Sequence, residues 1–151
     1  MNVKKSLLTL AASAALLLPA VSRAEPVGHH PAFLHALTDL RDARWNLEHR
    51  PGDWAMRADE SLAIEEVDHA IAEIHRAAID DGKNTSLHPP SDARLDRLGR
   101  LHHALELLRR AYHDASGEED NPASREWRHR ALEHMDAAIH ATERAIHIAE
   151  R

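Results

Sequence analysis

Two stretches of this chain repeat each other without a gap. Ala63, Glu65, Asp68, Ala70, Ile71, Arg76 and Ala77 recur 68 residues later as Ala131, Glu133, Asp136, Ala138, Ile139, Arg144 and Ala145. The same shift carries His35-Ala36-Leu37 onto His103-Ala104-Leu105, and Leu40, Arg41 and Ala43 onto Leu108, Arg109 and Ala111. One offset shared by two separate segments reads as a duplicated unit. It constrains the fold strongly, because whatever residues 31–80 form, residues 99–148 must form again. Within each copy the apolar residues fall three, four or seven apart, on one side of a helix. No stretch alternates with period two. The unit is therefore a helical hairpin. Two of them make an all-α four-helix bundle, most simply with up-down-up-down connectivity.

Punctuation gives the helix limits. Pro31 suits a first turn, and Pro51-Gly52 breaks the helix that ends near Glu48. Asp53 reads as the cap of helix two, which ends near Asp80 before Gly82. Pro89-Pro90 excludes helix, and Ser91 reads as the cap of a third helix over Asp92–Ala115. Asn121-Pro122 opens the last helix. The inner faces are traced by Phe33, Leu37, Leu40, Arg44 and Leu47; by Ile64, Val67, Ile71, Ile74 and Ala78; by Leu95, Leu98, Leu101, Leu105, Leu108 and Tyr112; and by Leu132, Met135, Ile139, Ile146 and Ala149. Trp45, Trp54 and Trp127 lie near helix ends and read as packing over the bundle end.

Residues 1–24 have a different character. Lys4 and Lys5 precede a short apolar run, Leu7–Leu18, and Ser22 and Ala24 stand at the −3 and −1 places of a cleavage site. This is the pattern of a secretory signal peptide, and it implies a periplasmic or secreted protein, with 25–151 as one domain. Cleavage would remove three basic residues and no acid, so the formal charge of −6 becomes −9. An acidic chain argues against nucleic acid as a partner. Without cysteine there is no disulfide, no Fe–S cluster and no covalent c-type haem. No later segment is apolar enough to span a membrane. No nucleophile–base pair or glycine-rich phosphate loop is visible, so nothing suggests an enzyme.

The unusual load is histidine: 14 residues, all beyond position 24. On the last helix Asp136, His140, Glu143 and His147 are spaced four, three and four, one turn apart on one flank, and His129 continues the line. Imidazole and carboxylate at such spacing can share zinc, nickel or copper. His75 and His102 are candidate donors from other helices. His29, His30 and His35, with His102 or His103, form a second candidate cluster. Asp68 and Asp136 sit at stripe edges, where a carboxylate needs a cation, and Arg41 and Arg109 repeat at matching edges to supply one. A duplicated bundle of this kind resembles the ferritin-like di-iron proteins, and Glu66 and His69 match their Glu-x-x-His spacing. The second copy has His134 and Ala137 instead, so the di-iron set does not follow. Nor does a haem site, since Met135 is inward but His102 lies only at an edge.

The sequence thus points to a non-catalytic bundle binding a divalent transition metal, through Asp136, His140, Glu143 and His147 with His75 and His102. The rival is a protein-interaction or stress-response module with a protein partner or a homo-oligomeric state. Its histidines would act as a pH switch, protonation of all 14 taking the charge from −9 to +5.

Overall fold

A computed structural model describes residues 31–49, 55–80, 95–117 and 122–151. Four helices account for nearly all of them: α1 (Pro31–Glu48), α2 (Ala58–Asp80), α3 (Arg97–Ala115) and α4 (Pro122–Ala149). They form an all-α bundle with no strand among the described residues. No described helix is long and apolar enough to cross a membrane. The signal-peptide reading, His29, His30, Trp54 and the caps assigned to Asp53, Ser91 and Asn121 lie outside the described residues.

The order of the helices around the bundle is α1, α2, α4, α3, with α1 and α4 across one diagonal and α2 and α3 across the other. Side-chain pairs set their directions. On α2, Asp59, Glu66 and Glu73 meet Arg144, His134 and Arg130 of α4, so one series ascends as the other descends. Arg109 with Glu143 and His102 with Glu150 make α3 and α4 antiparallel in the same way. Helices α2 and α3 therefore run the same way, and the connectivity is up-down-down-up rather than up-down-up-down. The physical reason is the length between them. A 23-residue helix is about 34 Å long, and residues 81–96 are enough chain to reach back along it.

Burial follows the 68-residue offset closely. Ala36 and Ala104, Leu37 and Leu105, Leu40 and Leu108, Ala43 and Ala111, and Val67 and Met135 are all buried. So are two runs of alanine at seven-residue spacing, Ala63-Ala70-Ala77 and Ala131-Ala138-Ala145. These runs, on the two helices with the longest mutual contact, shift the inward face away from the large aliphatics. Small side chains let helix axes approach closely, and Ile64, Ile71, Leu132 and Ile139 then pack at the flanks, only partly buried. Leu95 and Tyr112, read as inward, are 38% and 37% exposed, whereas Leu107 is buried.

Helix α3 starts later than its sequence suggests. Asp96 is its N-cap, and its carboxylate accepts from the Gly99 amide at 2.7 Å. A Cβ on Gly99 would stand 2.9 Å from that same oxygen, so the glycine leaves room for the cap. At the start of α2, Glu60 accepts from the Arg57 amide at 3.0 Å, one half of a capping box. Glu60 is 3% exposed, and its other oxygen takes two donors of Arg97, Nη2 at 2.5 Å and Nε at 2.9 Å. This buried pair ties α2 to α3 across the diagonal.

Asp39 of α1 accepts two hydrogen bonds from Arg110 of α3, at 3.1 and 3.2 Å. Burial pushes its carboxyl above the ordinary value, and Arg110 only partly offsets that. A raised acid adds stability below the ordinary carboxyl range and loses it as pH rises through the raised value. Carboxyl-carbon NMR should place the Asp39 midpoint above 3.8, and Arg110→Met should move it further up.

Candidate metal-binding stripe on the last helix

Helix α4 presents two faces. Ala131, Met135, Ala138, Ala141, Thr142 and Ala145 turn inward and are fully buried. On the opposite side lie Asp136, His140, Glu143 and His147, in one row as their spacing requires. His140 stands between two carboxylates. Its Nε2 is 3.6 Å from Asp136 Oδ2, and its Nδ1 is 3.2 Å from Glu143 Oε2. Asp136 and His140 are 62% and 61% exposed, so water and ions reach both. With Asp59, Arg144 and Ile148, the residues His140, Glu143 and His147 line a shallow hollow of about 440 Å³.

Cations of the protein compete for part of this row. Arg109 Nη2 donates to Glu143 Oε1 at 2.8 Å, and that bond holds the Glu143 carboxyl below its ordinary value, with His140 adding to the effect. Arg144 is taken up by Asp59 at 2.8 Å. His147 Nε2 is in close contact with Arg151. The pair with both donors clear of arginine is Asp136 and His140.

The other two candidate donors are not brought to that pair. His102 of α3 faces Glu150 at 3.6 Å, beyond the far end of the row. His75 is half-buried on α2, next in sequence to Arg76, at the opposite end of the bundle from the Asp59–Arg144 pair. His35 is exposed on α1, and His103 lies 4.0 Å from its own neighbour Glu106. Among the described residues no three His, Asp or Glu side chains converge as a preformed metal cage. What the stripe offers is pairs.

Asp68 is held by Arg44, at 2.5 Å to Nε and 3.3 Å to Nη2. Arg109 takes Glu143, leaving Asp136 to His140. Trp127 packs against the core with Arg130 and Arg76 over its ring, at 4.2 and 5.1 Å.

One cluster is absent from the sequence reading. His134 of α4 stacks on His69 of α2, with ring centroids 4.9 Å apart, and its Nδ1 lies 2.7 Å from Glu66 Oε2. Glu66 and His134 are 68 residues apart, the offset at which the sequences of α2 and α4 correspond. In an antiparallel pair of equivalent helices, residues at the crossing meet their own counterparts. That offset was the available signal.

The chain matches no protein-family model, and no curated protein or solved structure shows significant similarity to it.

Proposed function

We propose that this is an exported, non-catalytic helical bundle that binds a divalent transition metal, zinc, nickel or copper, on the outer face of α4. The observation that carries the reading is the separation of Asp136 Oδ2 and His140 Nε2, 3.6 Å. Two ligands at about 2.0–2.1 Å from zinc in tetrahedral geometry stand about 3.3 Å apart. A small rotamer adjustment thus brings both onto one ion. Glu143 and His147 continue the row, but Glu143 Oε1 is already held by Arg109 and His147 Nε2 is in contact with Arg151. A site of two free donors holds metal in exchange with solvent rather than locking it in, which suits capture or buffering. The ligand is neutral imidazole, so binding weakens on acidification.

Calorimetric titration with Zn²⁺, Ni²⁺ and Cu²⁺ tests this. At least one metal should bind more tightly than about 0.1 mM, and His140→Ala should weaken it about tenfold or more. Affinity no tighter than that for all three metals would contradict the reading.

A second reading rests on imidazole–carboxylate contacts spread over the whole bundle. His69 with Glu65, His102 with Glu150, His103 with Glu106 and His134 with Glu66 all lie within 4.0 Å. Acidification would turn each contact into an ion pair and invert the net charge. A protein partner held at low pH, with metal absent, would favour it.

A further inference from the structure

The outer row of α4 has the same spacing in both directions, with the same residue types at its four outer places. His129, Glu133, Asp136, His140, Glu143 and His147 are separated by steps of four, three, four, three and four. About Ala138, His129 mirrors His147, Glu133 mirrors Glu143, and Asp136 mirrors His140. His129 Nε2 is 3.5 Å from Glu133 Oε1, nearly the separation found for Asp136 and His140. His129 and Glu133 are 75% and 66% exposed. One helix can aim only neighbouring donors at one ion, because the next donor lies a turn further on. Zinc takes four ligands. A single chain therefore carries half of each site.

We infer that a second copy of the chain supplies the other half, the two α4 helices meeting antiparallel about a two-fold axis at Ala138 with metal ions between them. This rests on the metal reading above. In that arrangement Asp136 and His140 face the second copy's His140 and Asp136, two oxygens and two nitrogens around an ion on the axis. His129 and Glu133 face the second copy's His147 and Glu143, making two flanking sites. Such N/O sets suit zinc, nickel and copper. The contact is isologous and closes at the dimer. Each face brings three carboxylates, so metal-free faces repel each other. Cations replace that repulsion with shared ligands. The central site fills first, because at the flanking sites Arg109 already holds Glu143 Oε1 and Arg151 contacts His147 Nε2.

Sedimentation velocity with excess EDTA, and with zinc at one ion per two chains, tests the inference beside calorimetry of the same samples. The expected result is a monomer in EDTA, a dimer with zinc, and reversal on chelation. His140→Ala should stay monomeric with that zinc at unchanged helical content. The His129→Ala/His147→Ala double variant should still dimerise. A dimer that persists in EDTA, or a zinc-induced dimer of His140→Ala, would overturn the inference. A monomer that binds zinc would overturn it while leaving the metal reading in place; absence of zinc binding would overturn it too, and if nickel and copper also fail to bind, the metal reading falls with it.

Discussion

Glu60→Ala should lower the unfolding free energy by about 3–5 kcal/mol, the usual cost of removing one partner of a buried ion pair. Glu60 is 3% exposed and accepts from three donors: the Arg57 amide, Arg97 Nε and Arg97 Nη2. Removing the carboxylate uncaps α2 and takes away the acceptor of two hydrogen bonds from the Arg97 guanidinium, whose side chain is 12% exposed. Urea unfolding followed by circular dichroism measures the loss. The comparison that isolates the cause is a double change to apolar residues of similar size, Glu60→Leu with Arg97→Met. That variant should recover most of the stability, because it removes both charges together. A loss below about 1 kcal/mol for Glu60→Ala would mean that the pair behaves as a surface contact. Arg44 with Asp68, at 35% and 49% exposure, is such a contact.

Leu108→Ala should cost about 2–5 kcal/mol, from lost apolar transfer and the cavity left behind. Leu108 is fully buried among the alanines and leucines of the core. Its counterpart Leu40 is equally buried and should give a loss in the same range. Ile139→Ala should cost clearly less, because Ile139 only flanks the core. The urea midpoint should fall with the slope unchanged, as for a pure loss of stability. Equal losses at Leu108 and Ile139 would contradict the inward shift of the α2 and α4 faces toward alanine.

The helices were legible because their apolar spacing is regular and proline and glycine interrupt it. The core was legible where large aliphatics mark it, at Leu37, Leu40, Leu101, Leu105 and Leu108. It was missed where alanine marks it, since Ala63, Ala70 and Ala77 carry little hydrophobic signal but permit the closest helix approach. Connectivity was not legible, because helix direction depends on where a long connection ends and not on the periodicity of the helices. On α4 the row Asp136–His140–Glu143 was readable from spacing alone, being set within one helix. The assignments that needed a second helix fared otherwise: His75 and His102 are not brought to the row, and Arg109 pairs with Glu143 rather than Asp136. Helix spacing fixes which residues share a face, but not which neighbour that face meets. Glu60 with Arg97 and Glu66 with His134 escaped for the same reason.

Metal uptake on α4 requires Asp136 and His140 to bind one ion together. Imidazole NMR during a zinc titration asks this directly. The His140 resonances should shift or broaden first among the histidines, and Asp136→Asn should weaken that response about tenfold or more. If His140 responds no earlier than surface histidines such as His35, or if Asp136→Asn changes nothing, with zinc and likewise with nickel and copper, the stripe on α4 is not a metal site.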